Sequence, residues 1–112
     1  MEKLNVVSLN VRGLRGIEKR KALFQWIKEK KFDLICLQET YCTQDLVEKF
    51  NRVWEGQVFH SVTDSCHSRG VCILVKNKFA CNIIEAHSDE SGRKVWVKLE
   101  SGNDIYNIVN IF

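Results

Sequence analysis

The feature that most constrains the fold is a strand–helix–strand pattern in the first third of the chain. Residues 4–9 are β-prone and alternate loosely, which predicts a first strand ending at Asn10. A loop with two glycines follows, and apolar residues recur over 17–31 with the period of a helix. The almost continuous apolar run at 33–38 is typical of a strand covered on both faces. We therefore predict two parallel strands joined by a helix.

The predicted helix should have one buried face. Leu23, Trp26 and Ile27 lie three and four residues apart, so we expect them to pack against the sheet. Lys21 and Lys28 lie on the opposite face, which should be solvated.

The remaining two thirds of the chain change character. Thr43 or Asp45 could cap a second, short helix that extends through Trp54. Several β-prone segments with turn signals between them then predict antiparallel strands; these are 58–62, 70–75, 81–86, 93–99 and 104–112. A βαβ start followed by antiparallel strands predicts an α/β fold, a mixed β-sheet with flanking helices. Because the chain ends on apolar residues inside the last predicted strand, we expect it to be part of a longer domain.

The charge distribution bears on the partner. The chain of 112 residues has a net charge of +3, but residues 1–31 carry +6 and the remainder carries −3. A basic N-terminal third fits a polyanionic partner, and it fits equally a solvated, lysine-rich helix face. No apolar run is long enough for a membrane helix, and the N-terminus lacks the layout of a secretory signal. We therefore expect a nuclear or cytoplasmic protein.

The cysteines favour the same compartment. Their number is five, which is odd and excludes a complete disulfide framework, so we expect them to be small buried hydrophobic residues in a reducing environment. His60, Cys66, His67 and Cys72 lie close together in the sequence but lack the paired spacing of a zinc site.

Two polar side chains follow the two predicted parallel strands. Asn10 ends the first strand, and Glu39 comes directly after the second. Adjacent parallel strands end on the same side of a sheet, and ligand sites form there. Mg²⁺ takes oxygen ligands, often only one or two carboxylates completed by water and phosphate. The two residues would suit such a site, although a Glu after a strand is also commonly the first solvated residue of a loop.

Four stretches of the chain are recognisable in order: "SLNVRGL", "KRKALFQWIKEKKFDLICLQETY", "SRGVCIL" and "NIVNIF". Together they resemble the N-terminal half of a domain of the endonuclease/exonuclease/phosphatase superfamily, over residues 4–112. The nearest similarity is to the endonuclease of LINE-type non-LTR retrotransposons, which is related to exonuclease III and the apurinic endonucleases. The resemblance implies half of a DNase I-like, four-layer α/β sandwich, with residues 1–112 as the N-terminal part of the domain.

The resemblance also implies roles for individual residues. Glu39 matches the metal-binding glutamate, and Asn10 matches the asparagine that organises the metal (Mg²⁺ or Mn²⁺) and the phosphate. Arg12 and Tyr41 would contact the DNA, the first at a phosphate and the second along the groove. Phe112 stands where relatives have a Tyr that contacts the scissile phosphate, and a Phe cannot donate that hydrogen bond.

The implied activity is Mg²⁺-dependent nicking of DNA, in a parent protein that also carries a reverse transcriptase domain. Phosphate contacts from Arg15 and Arg20 would make DNA binding salt-dependent. The family's later G-D-x-N and S-D-H motifs do not occur in the sequence. We therefore expect the chain alone to be inactive, to lack the second sheet of the sandwich, and to expose an apolar face of the first.

Three alternatives remain open from the sequence. The chain could come from a repair-type apurinic endonuclease, which would share Asn10 and Glu39. It could come from a phosphoesterase of the same superfamily that acts on inositol phosphates or lipids. It could also be a non-catalytic relic or a binding module.

Overall fold

The computed structural model describes residues 4–112, which form three layers: two helices, a four-stranded sheet and a three-stranded sheet. The secondary-structure elements in chain order are β1 (Val6–Asn10), α1 (Ile17–Glu29), β2 (Leu34–Gln38), a 3₁₀ turn (Gln44–Leu46), α2 (Val47–Val53), β3 (Gly56–Ser61), β4 (Val71–Lys76), β5 (Asn82–Ser88), β6 (Lys94–Ser101) and β7 (Asp104–Ile111). Every predicted strand and both predicted helices are present, with bounds shifted by a few residues.

The first sheet has the strand order β1-β2-β4-β3 and is mixed, as predicted. β1 and β2 are parallel and pair with Asn10 opposite Gln38, whereas β4 is antiparallel to both of its neighbours. α1 connects β1 to β2, so the predicted strand–helix–strand unit is confirmed.

The inner face of α1 agrees with the prediction at Ile27, which is fully buried, and at Leu23, which packs against the core, but differs at Trp26. The buried side chains of this helix are those of Arg20, Phe24 and Ile27, whereas Trp26 is 40% exposed. The helix is rotated in this way because Phe24 makes edge-to-face contacts with Phe50 and Trp54, with ring centroids 5.2 and 5.3 Å apart. Such aromatic pairs add stabilisation beyond the area they bury.

The expectation that the chain lacks the second sheet is wrong. β5, β6 and β7 form an antiparallel sheet that packs on the face of the first sheet turned away from the helices. Val95, Val97 and Leu99 alternate along β6 and are fully buried against residues of β2 and β4. Three exposed apolar side chains lie together on the outer face of β7, at Ile105, Val109 and Ile111. The other large apolar side chains that remain exposed are those of Val6, Ile17, Trp26, Ile84 and Phe112.

The burial of three of the five cysteines agrees with the prediction that they are small hydrophobic residues of the core. All five are free thiols; Cys36, Cys42 and Cys72 are buried, and Cys66 and Cys81 are half-buried. Burial raises the pKa of the Cys36 thiol to about 11 and that of Cys42 to about 12, so neither is a thiolate at neutral pH. Within residues 4–112 no three His, Cys, Asp or Glu side chains converge as metal ligands, and no helix is long and apolar enough to span a membrane.

His60, on β3, is held in its neutral form by its surroundings. Its ring stands edge-on to Phe50 with centroids 4.8 Å apart, and Nε2 lies 3.0 Å from the side-chain oxygen of Asn51. Nδ1 is buried, with no hydrogen-bond partner in the part of the chain that the structure describes. Burial lowers the pKa of His60 to about 4, because a proton on Nδ1 would have neither water nor an acceptor.

This environment predicts a pH-dependent stability. Between about pH 6.5 and pH 4 the unfolded chain is protonated at His60 and the folded chain is not, so the free energy of unfolding should fall as the pH is lowered. The loss should approach about 3 kcal/mol at the acidic end. Urea denaturation across this range should show a clearly smaller fall for His60→Gln, whereas His67→Gln, at an exposed position, should follow the wild-type chain. An identical pH dependence in His60→Gln would contradict this account.

Candidate functional site

The chain segments that follow β1 and β2 stay paired after the strands have ended. The backbone N–H of Val11 donates to the carbonyl of Gln38 (3.0 Å), and that of Gly13 donates to the carbonyl of Glu39 (2.6 Å). Asn10 pairs with Gln38, so Glu39 lies one residue further along the adjacent parallel segment. Asn10 and Glu39 are therefore neighbours, as predicted from their positions at the ends of the two strands. The residues that surround them define the strand-end site, which comprises residues 10–13, 39–41 and 69–70.

The backbone of Glu39 is the most constrained part of the strand-end site. Its φ is 55°, in the left-handed region that residues other than glycine rarely occupy. The peptide group that joins Glu39 to Thr40 is held on both sides, since its carbonyl accepts from Gly13 and its N–H donates to the carbonyl of Gly70 (3.0 Å). This peptide clamp fixes the direction in which the Glu39 side chain leaves the strand.

Among residues other than glycine, left-handed backbone is concentrated in the strand-end site. Across residues 4–112 four residues other than glycine have a positive φ, and all four lie in the strand-end site: Arg12, Glu39, Tyr41 and Arg69. Each such conformation costs of order 1–3 kcal/mol and persists only when its surroundings enforce it. Strain of this kind is typical of functional sites.

Glu39 and Asn10 both keep oxygen atoms free for a ligand. The half-buried Glu39 carboxylate has no hydrogen-bond or ion-pair partner among the described residues. The side-chain oxygen of Asn10 accepts from the backbone N–H of Arg12 at 3.2 Å, which fixes the start of the loop. An amide oxygen has two lone pairs, so one remains available.

The basic residues of this region differ in what they can reach. Lys19 donates to the carbonyls of Val11 (2.6 Å) and Arg12 (3.3 Å), so its ammonium group braces the loop. The side chain of Arg12 is exposed beside Asn10. The side chain of Arg15 points toward the segment after β2, where it donates a hydrogen bond to the Thr43 hydroxyl at 2.7 Å.

Arg20 is not available for a phosphate, so that expectation is wrong. Its side chain is 2% exposed and donates to the carbonyls of Leu14 (2.8 Å) and Arg15 (2.6 Å). Burial lowers the pKa of this guanidinium. Arg20 therefore closes the loop onto the start of α1 and is not part of an exposed basic surface.

Tyr41 is positioned by a glycine. The backbone of Gly13 has φ +95°, and a Cβ atom there would lie 2.5 Å from the Tyr41 ring. The half-buried ring therefore packs directly on the backbone of the loop that carries Arg12. Only a glycine permits this approach.

Asn110, which the sequence analysis did not single out as a site residue, ties the second sheet to the strand-end site. Its side chain is 3% exposed and donates to the carbonyls of Leu37 (2.9 Å) and Cys72 (2.8 Å). Its oxygen accepts from the side chain of Gln38, at 2.8 Å. The available signal was that Asn110 is a polar residue on the inner face of a strand whose other inward positions, 106 and 108, are apolar.

Phe112 follows β7 at the same end of the molecule. It lies two residues after Asn110, its side chain is 54% exposed, and its backbone N–H donates to the carbonyl of Arg93 (2.8 Å). The structure thus brings Asn10, Glu39, Arg12 and Tyr41 together in one site, with Phe112 at the adjacent end of the second sheet.

Removal of the Asn110 side chain should destabilise the fold strongly. Asn110→Ala removes the side-chain donor of two buried carbonyls and one of the acceptors of the Gln38 amide, so we expect a loss of about 2–4 kcal/mol in the free energy of unfolding. Asn107→Ala, on the exposed outer face of the same strand, should cost less than about 0.5 kcal/mol. Chemical denaturation would measure both; equal losses would show that the buried amide has no special role.

The donor set of the strand-end site fits a hard divalent cation. It offers one carboxylate and one amide oxygen, and Mg²⁺ is commonly held by one or two carboxylates while water and phosphate complete its coordination. No thiol or imidazole lies in the site-defining segments, so softer metals are not favoured.

This fold, with a constrained carboxylate at the end of its parallel strand pair, matches a known class of protein. Residues 7–110 match the model of the Endonuclease/Exonuclease/phosphatase family, and the chain belongs to that family. Among individual proteins, it is 27% identical over 111 residues to the Transposon TX1 uncharacterized 149 kDa protein of Xenopus laevis. That match covers 97% of this chain and 8% of the relative.

Two solved structures share the fold. The AP endonuclease LMAP from Leishmania major superposes with a TM-score of 0.74 at 22% identity, over 97% of this chain and 40% of that one. The APE2 catalytic domain from Xenopus laevis superposes with a TM-score of 0.71 at 21% identity, over 96% of this chain and 44% of that one. The mixed sheet and its flanking helices therefore have the DNase I-like α/β arrangement that the family resemblance implied.

Proposed function

We propose that residues 1–112 supply the N-terminal, metal-binding part of a Mg²⁺-dependent DNA endonuclease domain of a non-LTR retrotransposon. The observation that carries the proposal is that the Glu39 carboxylate has no protein partner in the described structure. The backbone of Glu39 is strained, and the peptide clamp holds it in place. The similarity to a transposon protein over 97% of the chain supports the retrotransposon branch of the family. In the parent protein a reverse transcriptase domain would use the 3′-hydroxyl that a nick exposes.

Glu39 and Asn10 would hold the metal, Mg²⁺ or Mn²⁺. When bound, the ion supplies Lewis-acid chemistry that stabilises charge on a phosphodiester during hydrolysis. Glu39 would provide a carboxylate oxygen as a ligand, and its clamped backbone would keep that oxygen in place. Asn10 would offer its amide oxygen while also fixing the loop through the N–H of Arg12.

Arg12, Tyr41 and Phe112 would form the nearby DNA contacts. The exposed guanidinium of Arg12 can hold a phosphate oxygen by a charge-assisted hydrogen bond. The Tyr41 ring, fixed against Gly13, can line the groove through which the DNA strand passes. Phe112 offers only an apolar surface to the strand, because it lacks the hydroxyl group found in most relatives.

The water-activating groups of the family would have to come from outside these residues. The sequence contains no S-D-H motif and no G-D-x-N motif, so it offers no aligned His–Asp pair to accept the proton of the attacking water. We therefore propose that the chain by itself binds the metal without nicking DNA.

Repair-type cleavage is the second candidate function. The two structural neighbours are AP endonucleases, although at 21–22% identity they show the fold alone. A domain reconstituted with its missing part and active only on abasic DNA would favour this candidate, whereas nicking of intact duplex would favour the retrotransposon endonuclease. Absence of metal binding would leave only a non-catalytic relic or binding module.

The proposed metal site predicts a specific loss in one variant. Titration calorimetry with MnCl₂ should detect binding to the wild-type chain and none to Glu39→Gln, which removes the charge but keeps the shape of the side chain. Asn10→Ala should bind several-fold more weakly, by about 1 kcal/mol, because it loses one neutral ligand and the brace on Arg12.

Glu55→Gln is the matched control for this experiment. Glu55 is exposed and follows α2, away from the strand-end site, so this variant changes the net charge equally but should bind Mn²⁺ like the wild-type chain. Unchanged Mn²⁺ affinity in Glu39→Gln would refute the proposed site.

A further inference from the structure

The turn between β5 and β6, residues 89–93, is organised around the carboxylate of Asp89. One carboxylate oxygen accepts from the backbone N–H groups of Arg93 and Lys94, both at 3.2 Å. The other accepts from the Ser91 hydroxyl at 2.8 Å. Burial alone would raise the pKa of this carboxyl group, but its hydrogen bonds outweigh that effect and hold the pKa well below its usual range.

The Asp89 turn is joined to the first sheet through Ser61, the last residue of β3. Ser61 is 1% exposed. Its hydroxyl donates to the Asp89 carboxylate and lies 2.9 Å from the Asp89 carbonyl oxygen. The same hydroxyl oxygen accepts from the backbone N–H of Gly92 at 3.0 Å. One buried hydroxyl thus links the two ends of the turn to β3.

From Gly92 the connection continues to the strand-end site. The N–H of Gly70 donates to the carbonyl of Gly92 at 2.9 Å, and the carbonyl of Gly70 accepts from the N–H of Thr40 at 3.0 Å. That last bond is one half of the clamp on the Glu39–Thr40 peptide group. An unbroken series of hydrogen bonds, the Asp89 relay, therefore runs through Asp89, Ser61, Gly92, Gly70 and Thr40.

Both glycines of the relay are required by close contact. A Cβ atom at Gly92 would lie 2.8 Å from the backbone nitrogen of Gly70, and one at Gly70 would lie 2.5 Å from the Thr40 hydroxyl oxygen. Their φ angles are +75° and +88°, respectively. The backbones can approach to hydrogen-bonding distance only because neither residue has a side chain.

We infer that Asp89 is a positioning residue for Glu39: by fixing the turn, and through it Gly70, it sets the orientation of the Glu39–Thr40 peptide group and of the carboxylate beside it. Asp89 is not itself proposed as a metal ligand. The coupling between the Asp89 turn and the Glu39–Thr40 peptide group is inferred from the hydrogen bonds alone. Its role in metal binding rests on the function proposed above.

Amide hydrogen exchange tests the coupling without any metal. Loss of the Asp89 carboxylate should loosen Gly70, so the Thr40 N–H should exchange roughly tenfold faster in Asp89→Ala than in the wild-type chain. The N–H of Ile35, in the centre of the first sheet, should keep its exchange rate. Asp89→Asn retains an acceptor for Ser61 and should restore most of the protection.

Two further variants make the test specific. Ser61→Ala removes the Ser61 bonds to Gly92 and Asp89 but leaves the Asp89 bonds to Ser91, Arg93 and Lys94, so it should also accelerate exchange at Thr40. Asp104→Ala removes an exposed carboxylate beside the other hairpin turn of the same sheet and should leave Thr40 unchanged.

The outcomes separate the two proposals. Faster exchange at Thr40 but not at Ile35, in both Asp89→Ala and Ser61→Ala, would establish the coupling, whatever the metal affinity. A several-fold loss of Mn²⁺ affinity in the same variants would show that the coupling serves the metal site. Unchanged exchange at Thr40 in Ser61→Ala, or equal acceleration at Thr40 and Ile35, would overturn the inference even if Glu39 binds Mn²⁺.

Discussion

The strand-end site depends on the pairing between the segments that follow β1 and β2. Parallel strands bring their ends to one side of the sheet, and here the pairing continues past Asn10 through the bond from Gly13 to Glu39. This bond and the one from Thr40 to Gly70 together hold Glu39 in a conformation that it would not adopt alone. The strain is therefore maintained by three chain segments at once, and the carboxylate is presented by the fold rather than by the flexibility of a loop.

The second sheet supports the strand-end site through hydrogen bonds to the first sheet. Asn110 bonds to the carbonyls of Leu37 and Cys72 and accepts from Gln38, so the end of β7 is fastened to the residues that precede Glu39. The Asp89 relay adds a second attachment on the other side, through Gly70. Without the second sheet, the strand-end site would lose both of these supports.

The elements could be predicted from the sequence because their signals are local. The apolar period of α1, the continuous run of β2 and the clean alternation of β6 each reflect one element's own burial. Leu23 and Ile27 on the inner face of α1 could be predicted, but Phe24 in place of Trp26 could not, because its position depends on where Phe50 and Trp54 lie. The same limit applies to Arg20, whose partners are carbonyl groups of a loop. The position of Glu39 followed from the parallel pair, but its left-handed backbone depends on Gly13 and Gly70, which are distant in sequence.

The most direct test of the central claim, that this fold presents the Glu39 carboxylate as a metal ligand, is a crystal structure of the chain grown with MnCl₂. An anomalous difference map would locate the ion independently of any activity. The account predicts a peak at about 2 Å from a Glu39 carboxylate oxygen, on the side of Asn10, with Glu39 still in its left-handed conformation. A map with Mn²⁺ only at other carboxylates, or a Glu39 side chain turned into an ion pair with a neighbouring Arg, would contradict it.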